Sequence, residues 1–211
     1  MKIAILNASS QKEKNELLYR ETLKAVEQKN WEVINLGVFS HEEQNFSYVQ
    51  IALCVSVLLE SQAADFVVTG CSSGTGMMLA CNSLPGVICG YINNPTDAYL
   101  FGRINAGNAI SFPLGLGFGW AGEISLRYTL EKLFEEPFGI GYPPKDINRK
   151  RKDTQMLKAI KSRSHRKITD ILSEMDKDFI RAPLVRTCFR SYIDEHGKSK
   201  EITDFINFLR D

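Results

Sequence analysis

Hydrophobic and polar positions alternate along the first two thirds of the chain in a pattern that predicts strands and helices in turn. Short apolar runs are typical of buried strands, and longer stretches with apolar residues three or four positions apart are typical of helices. The predicted strands cover residues 2–7, 31–36, 65–70, 86–91 and 109–112. The predicted helices cover residues 13–28, 45–62, 76–82, 97–106 and 122–135.

This alternation predicts an α/β fold of the Rossmann-like, three-layer type, with a five-stranded, mostly parallel sheet between helices. Such folds bind ligands beyond the carboxyl ends of the strands, where loops lead into helix N-termini. The third of these junctions is the glycine-rich segment GCSSGTG at residues 70–76. We therefore expect the functional site at this loop.

The composition changes after Glu136. Residues 137–146 are rich in glycine and proline and cannot continue a helix. A basic stretch then opens a predicted helix that continues to about Met175, and residues 181–211 carry further apolar positions. We therefore predict an α/β domain over residues 1–148 and a helical C-terminal extension over residues 149–211, packed on that domain or on a neighbouring subunit.

Composition and charge narrow the function classes. The formal net charge is +1, so no overall field favours nucleic acid or an anionic membrane. Five cysteines without CxxC spacing argue against a disulfide framework or a zinc site, and Cys54, Cys81 and Cys89 lie in apolar runs that predict burial. The N-terminus is typical of a first strand rather than a signal peptide, and no apolar run is long enough for a bilayer. We expect a soluble, cytoplasmic protein.

The loop at residues 70–76 offers a specific chemistry. Its three glycines let the backbone approach a ligand, and the free N–H groups of the following helix form an anion site. Cys71 lies at the mouth of that site, and Ser72 and Ser73 add hydroxyl groups. A cysteine beside an oxyanion cradle is suited to proton abstraction next to a carbonyl. A structural turn with an incidental cysteine is the alternative.

Better-known motifs do not fit these residues. A Walker loop needs lysine after its last glycine, and a cysteine phosphatase needs arginine six positions after its cysteine, but both positions are Met77. A dinucleotide fingerprint needs glycine at Leu79.

Several segments together resemble the family of type B ribose-5-phosphate isomerases and galactose-6-phosphate isomerases. The family motif C-G-T-G-x-G is similar to residues 71–76, its A-A-N-K to residues 80–83, and its G-I/V-R-A to the segment that begins at residue 85. A second motif, H-N-D-x-N-V-L-x-x-G, is similar to residues 104–110, and an early D-Y-P to residues 45–47. The resemblance covers roughly residues 1 to 150, with the spacing kept almost throughout.

The resemblance implies an aldose–ketose isomerase of a small phosphorylated sugar that works through a cis-enediolate. Cys71 would move the proton between C1 and C2, and Ser73 with the neighbouring N–H groups would stabilise the enediolate oxygen. Asn105 would bind the sugar, usually from a partner subunit, so we expect a homodimer or homotetramer with shared sites. No metal or organic cofactor is expected. The predicted substrate-binding residues are Asn7, Ser9, Ser72, Gly74, Thr75, Gly76, Asn105, Asn108, Arg149 and Arg151.

Two departures from the family leave the substrate open. The family's Asp-His after the first strand is replaced by Ala8 and Ser9, or by Asn7 and Ala8, and its ring-opening histidine corresponds to Ile104. The protein could isomerise a sugar that is not locked in a ring, such as a tetrose phosphate. It could use a rebuilt ring-opening group, for which the candidates are Ser9, Asp97 and Arg103.

Two further alternatives do not require isomerisation. The chain could bind a sugar phosphate without catalysis. It could also be a thiol-dependent hydrolase or acyl-transfer enzyme with Cys71 as nucleophile, which needs a histidine base. The early strands and loops offer only His41 for that role, and we expect His41, His165 and His196 to be surface residues.

Overall fold

A computed structural model describes residues 1–209, and its sheet confirms the predicted α/β class. The strands are β1 (Lys2–Ile5), β2 (Glu32–Asn35), β3 (Phe66–Cys71), β4 (Cys89–Tyr91) and β5 (Ala109–Pro113). They form a single parallel sheet in the order β2-β1-β3-β5-β4. Every residue of β3 and β5 is buried, as expected for strands covered by helices on both faces.

Five helices flank the sheet and leave the carboxyl ends of its strands open to loops. They are α1 (Asn15–Ala25), α2 (Tyr48–Glu60), α3 (Thr75–Asn82), α4 (Pro95–Leu100) and α5 (Gly122–Phe134). One apolar cluster joins α1, α4 and α5 to one face, and a second joins α2 and α3 to the other. A capping box of Ser47 and Gln50 starts α2.

Parts of two predicted helices are replaced by turns of other helical types. The segment before α1 is a 3₁₀-helical turn (Ser9–Lys14), and the second half of the helix predicted over residues 97–106 is a π-helical turn (Phe101–Asn105). Ala106 ends this turn in the left-handed conformation, with a φ of 45°. The backbone therefore leaves the helical path before β5.

The C-terminal part is helical, as predicted, but is divided differently. It contains α6 (Ile147–Ser164), α7 (Ile168–Ser173), α8 (Lys177–Leu184), α9 (Thr187–His196) and α10 (Lys200–Phe208). The prediction of one helix to about Met175 is wrong, because the chain is extended at His165. The break lets α7 bury Ile168 and Leu172 in the cluster on the α2 face.

Helices α7 to α10 share the core of the α/β domain. The second apolar cluster takes in side chains from all four, namely Ile168, Leu172, Ile180, Leu184, Phe189, Tyr192, Ile193, Ile202 and Ile206. Polar contacts add to this packing: Gln50 Nε2 donates to the carbonyl of Phe179 at 3.0 Å, and Tyr192 OH donates to that of Ala63 at 3.3 Å. The division at residue 148 stays a prediction.

Helix α6 differs from the other helices of the extension. It has no buried residue and exposes three apolar side chains, Met156, Leu157 and Ile160. No helix among the described residues is both long and apolar enough to cross a membrane. Cys54, Cys81 and Cys89 are buried, which confirms their predicted place in the core.

The shared core predicts that a cavity in the extension destabilises the whole protein. Phe189 on α9 is fully buried, so Phe189→Ala should lower the free energy of unfolding by about 3–5 kcal/mol. The same change at Phe208 on α10, which is 66% exposed, should cost less than about 1 kcal/mol. Urea unfolding followed by circular dichroism measures both. Equal losses, or a Phe189→Ala protein that unfolds in two separate steps, would contradict a shared core.

Candidate functional site

The predicted loop lies at the point where the sheet's connections diverge. The chain leaves β1 towards β2 on one side and leaves β3 towards β4 on the other, so the loops after β1 and β3 open a crevice between them. In open α/β sheets this is the usual place for a ligand. Residues 71–76 occupy one wall, and the 3₁₀-helical turn Ser9–Lys14 occupies the other.

Contacts with the end of β5 fix the path of the loop. The N–H of Leu114 donates to the carbonyl of Cys71 at 3.0 Å, and the N–H of Gly115 donates to that of Ser72 at 2.8 Å. The hydroxyl of Ser111 donates to the carbonyl of Gly74 at 2.7 Å. Gly74 has a φ of +73°, which side-chain-bearing residues rarely adopt.

This path leaves backbone donors facing the crevice. Within the described residues, the N–H groups of Ser73 and Gly74 have no backbone acceptor, and Thr75 begins α3. Cys71 is 6% exposed, whereas Ser72, Ser73 and Thr75 are exposed. The loop therefore presents a nearly buried thiol beside free N–H groups at a helix N-terminus, which suits an oxygen that becomes negatively charged.

Two residues of the opposite wall are not among the predicted site residues: Gln11, which contacts the loop, and Lys14, which contacts Gln11. Gln11 Nε2 donates to Ser72 Oγ at 3.1 Å, and Lys14 Nζ donates to Gln11 Oε1 at 2.9 Å. Lys14 Nζ also donates to the carbonyl of Leu114 and lies 4.7 Å from the ring centroid of Phe118. Lys14 forms no ion pair within the described chain, so its charge is available at the crevice.

The side chains predicted after β1 already have protein partners. Asn7 is buried: its Nδ2 donates to the carbonyl of Gln11 at 2.9 Å, and its Oδ1 accepts from Asn15 Nδ2 at 2.8 Å. Ser9 Oγ accepts from the N–H of Phe46 at 2.6 Å. These contacts hold the first wall of the crevice in place, and substrate contact by Asn7 or Ser9 stays a prediction.

Asn105 and Asn108 precede β5 and therefore lie at the amino edge of the sheet, away from Cys71 in the same chain. Asn108 is occupied, since its Oδ1 accepts from the N–H of Ile88 at 2.8 Å and its Nδ2 donates to the carbonyl of Gly86 at 2.6 Å. Asn105 is exposed, and its side chain has no hydrogen bond within the described part of the chain. One chain does not bring Asn105 to the loop.

The arginines among the predicted substrate-binding residues also lie outside the crevice. Arg149 and Arg151 are exposed at the start of α6, where Arg149 lies 3.4 Å from Asp153 and 3.5 Å from Asp146. Helix α6 follows the amino edge, because Thr154 Oγ1 donates to the carbonyl of Ile104 at 2.6 Å. Their role stays a prediction that needs a second subunit.

No histidine is hydrogen-bonded to Cys71 among the described residues. His41 stacks on Phe39, His165 contacts Lys161 and Ser164, and His196 contacts Lys2. A thiol hydrolase would need an imidazole beside the sulfur. The structure gives that alternative no support.

The other candidates for ring opening also have protein partners, although Nε and Nη1 of Arg103 have no hydrogen-bond partner among the described residues. Asp97 Oδ2 accepts from Asn94 Nδ2 at 2.9 Å, near the start of α4. Arg103 is fully buried, and its Nη2 donates to the carbonyl of Leu133 at 3.0 Å. Burial lowers the pKa of Arg103, and Glu136 opposes this shift. Neither group reaches the loop through these contacts.

Metal ligands are not gathered anywhere in residues 1–209. No group of three or more His, Cys, Asp or Glu side chains lies close enough to hold an ion. The crevice instead offers a thiol, hydroxyls, backbone N–H groups and one ammonium.

A family model described as ribose/galactose isomerase matches residues 3–135. The chain belongs to the ribose/galactose isomerase family. The match covers β1 to α5, including the loop with Cys71. No curated protein matches the sequence significantly.

Two solved structures are similar to the isomerase over nearly its whole length, including the C-terminal extension. A 4-deoxy-L-threo-5-hexosulose-uronate ketol-isomerase, complexed with a tartrate, is 42% identical over 100% of both chains, with a TM-score of 0.96. A ribose-5-phosphate isomerase from Vibrio parahaemolyticus is 35% identical over 99% of both chains, with a TM-score of 0.94. A type B ribose 5-phosphate isomerase from Trypanosoma brucei shares the fold at 23% identity and a TM-score of 0.60, over 75% of this chain. The protein is thus a sugar isomerase with a C-terminal extension that full-length relatives share.

The conformation of Gly74 generates a prediction for the isomerase. A Cβ at Gly74 would lie 2.8 Å from the backbone N of Pro113, so Gly74→Ala should destabilise the protein by about 1–3 kcal/mol and lower its activity. A Cβ at Gly76 would lie 3.4 Å from the Tyr48 ring, so Gly76→Ala should change stability by less than about 1 kcal/mol. Thermal unfolding of the two variants compares them. Gly74→Ala with unchanged stability would mean that the loop does not need its left-handed backbone.

Proposed function

We propose that this isomerase is a ketol-isomerase of a small, open-chain, acidic sugar, with Cys71 as its acid/base group. The observation that carries the proposal is the nearly buried Cys71 thiol beside the free N–H groups of Ser73 and Gly74. A ketol isomerisation needs one group that moves a proton between two neighbouring carbons and donors for the oxygen that gains charge. Both are present at one loop.

The steps follow from this arrangement. The Cys71 sulfur, as a thiolate, takes the proton from C2 of the aldose, and the C2–H electrons form the C1–C2 double bond of a cis-enediolate. The N–H groups at the start of α3 and the hydroxyl of Ser73 hold the negative oxygen. The proton returns from sulfur to C1 while the hydroxyl proton on O2 moves to O1, which gives the ketose. Nothing is oxidised or reduced overall, so no external redox partner is needed.

The substrate class is inferred from the residue at position 104. The family motif has its ring-opening histidine there, and Ile104 cannot move a proton. A ring-opening group is unnecessary when the aldehyde has no hydroxyl with which to form a five- or six-membered ring. The name of the relative at 42% identity describes such a compound, with an aldehyde at C1, a ketone at C5, a carboxylate at C6 and no hydroxyl at C4. We assign this hexosulose uronate, or a close analogue, as the substrate.

Ribose 5-phosphate is the second candidate. It is favoured by the relative from Vibrio parahaemolyticus, which matches 99% of both chains at 35% identity. Ribose 5-phosphate closes a furanose ring through its C4 hydroxyl, so this reaction would need a replacement for the missing imidazole. The occupied side chains of Ser9, Asp97 and Arg103 make such a replacement less favourable than an open-chain substrate.

We assign the anionic end of the substrate to Lys14. Its ammonium reaches the loop through Gln11 and lies against Leu114, and no carboxylate neutralises it within the described residues. Arg149 and Arg151 could take this role only from a second subunit, since α6 lies at the other edge of the sheet. A half-buried ammonium suits a carboxylate or a phosphate as a point charge.

We further propose a homodimer or homotetramer with shared sites. The support is the position of Asn105 at the amino edge, where its side chain is exposed and has no partner within residues 1–209. The family motif that contains Asn105 is, by resemblance, one that binds the sugar. A second copy that placed its amino edge over the crevice would supply Asn105 to the Cys71 loop. The apolar side chains exposed on α6 would be covered by the same contact.

The function is tested by incubating the protein in D₂O with the hexosulose uronate, ribose 5-phosphate and a tetrose phosphate. We expect the ketose product of the uronate to carry deuterium at C1, because the proton on sulfur exchanges with solvent. Its kcat/KM should exceed that of ribose 5-phosphate by at least about tenfold. Tight binding of the uronate without deuterium incorporation would instead indicate a non-catalytic binding protein, and faster turnover of ribose 5-phosphate would reverse the order of substrates.

The same assay tests the mechanism. Cys71→Ala should lower kcat by at least about 100-fold, the usual contribution of a positioned general base. Cys188→Ala is the matched control, because Cys188 lies on α9, outside the loop, and should retain wild-type turnover. Normal turnover by Cys71→Ala would falsify the assignment of the acid/base group without excluding isomerisation.

Lys14 and Lys12 lie on the same 3₁₀-helical turn, and substituting each of them tests the proposed contact between Lys14 and the substrate anion. Lys14→Met should raise KM about tenfold for the substrate that is turned over and change kcat by less than about threefold, because one charge contact to the bound anion is lost. Lys12→Met is the control, since Lys12 Nζ donates to the carbonyl of Glu42 at 2.7 Å and not to the loop. Steady-state kinetics of both variants compare them. Equal effects of the two substitutions would rule out a specific contact by Lys14.

A further inference from the structure

A second cavity lies at the amino edge of the sheet, opposite the Cys71 loop. It has a volume of about 430 Å³ and is enclosed by the end of α6, the link to α7, and the loops that precede β4 and β5. This basic cavity is lined by Lys158, Lys161, His165, Arg166 and Lys167. Its size is that of a small-molecule site.

Lys161 is the cation of this cavity whose charge is least compensated. It is half-buried, and its Nζ donates to the carbonyl of Asn82 at 2.5 Å and contacts His165 Nε2 at 3.1 Å. The ammonium can only donate, so Nε2 accepts, and the Nδ1 of His165 faces Ser164 Oγ at 2.9 Å. Within the described residues no carboxylate pairs with Lys161, and burial lowers its pKa. A positive charge is thus partly withdrawn from water without a counter-charge.

The other charges around the cavity leave it positive. Arg166 pairs with Glu174 at 2.7 Å and Lys167 with Glu201 at 2.9 Å, both outside the lining. Lys158 is in no ion pair among residues 1–209. Glu60 is the acidic lining residue, and burial raises its pKa by withdrawing the carboxylate from water. Uncompensated cations around a concave surface attract a multiply charged anion.

We propose that the basic cavity binds a small anion with two or more negative charges, such as a phosphorylated or polycarboxylic metabolite. Lys161 and Lys158 contact the charged group, and the carbon surface of Pro85 and Ile88 receives the rest of the molecule. Within one chain the site is separate from Cys71, which lies at the carboxyl edge of the sheet. The binding proposed here does not require a particular substrate of the isomerase.

The test uses isothermal titration of the full chain with inorganic phosphate and with citrate, at constant ionic strength. Binding of phosphate with a weaker response to citrate supports a phosphorylated ligand, and the reverse order supports a polycarboxylate. Lys161→Met should weaken binding of the preferred anion about tenfold, as should Lys158→Met, whose exposed position leaves folding unaffected. Lys152→Met, the same change at an exposed position of α6 outside the lining, should bind as the unchanged protein does.

Two outcomes would overturn the proposal. One is that neither anion binds. The other is that both cavity variants bind as tightly as the Lys152→Met control. Titration of Lys14→Met separates this site from the proposed active site, because Lys14 is the cation assigned to the anion there and binding in the basic cavity should be unchanged in that variant. Loss of binding in Lys14→Met would place the anion at the loop and contradict a second site.

Discussion

The candidate site depends on one feature of the sheet: the connections that follow β1 and β3 run in opposite directions away from these two neighbouring strands. Because the loops after these strands lead to opposite faces of the sheet, neither covers the other, and the first turn of α3 stays open at its N-terminus. The loop at residues 71–76 must then be held by a part of the chain other than the loop after β1. The end of β5 does this through Leu114, Gly115 and Ser111, which bind three successive parts of the loop. Gly74 takes a φ of +73° on this path, a backbone conformation that residues with side chains rarely adopt.

The C-terminal extension depends on the α/β domain for its hydrophobic core. Helices α7 to α10 do not form a core of their own, because their apolar residues join the cluster that already contains α2 and one face of the sheet. The full-length relatives match this arrangement over the whole chain, whereas the trypanosomal structure matches 75% of it. Helix α6 takes no part in this packing and bridges the π-helical turn and the last helices along the amino edge.

Much of the fold could be predicted from the sequence, because the positions of the strands and helices follow from local patterns of apolar and polar residues. Apolar runs located the strands, and the glycine-rich junction after β3 located the loop with Cys71. Contacts between distant residues could not be predicted. The break at His165 is followed by the burial of Ile168 against the α2 face, and the contact of Gln11 with Ser72 joins residues that are far apart along the chain. Asn108 is a predicted sugar ligand by motif and stays so, but its two contacts with the loop before β4 could not be read from the motif.

The replacement of a histidine by Ile104 and the charge of Lys14 lead to the same kind of substrate. An isoleucine at position 104 removes the ring-opening step, which a sugar needs only when its aldehyde is masked. A carboxylate or phosphate at the far end of the molecule would still need a cation, and Lys14 is the cation that we propose for it. An acidic sugar whose carbonyl is already free satisfies both conditions. A masked sugar phosphate satisfies only the second, which is why we propose an open-chain acid rather than the pentose phosphate for which part of the family is named.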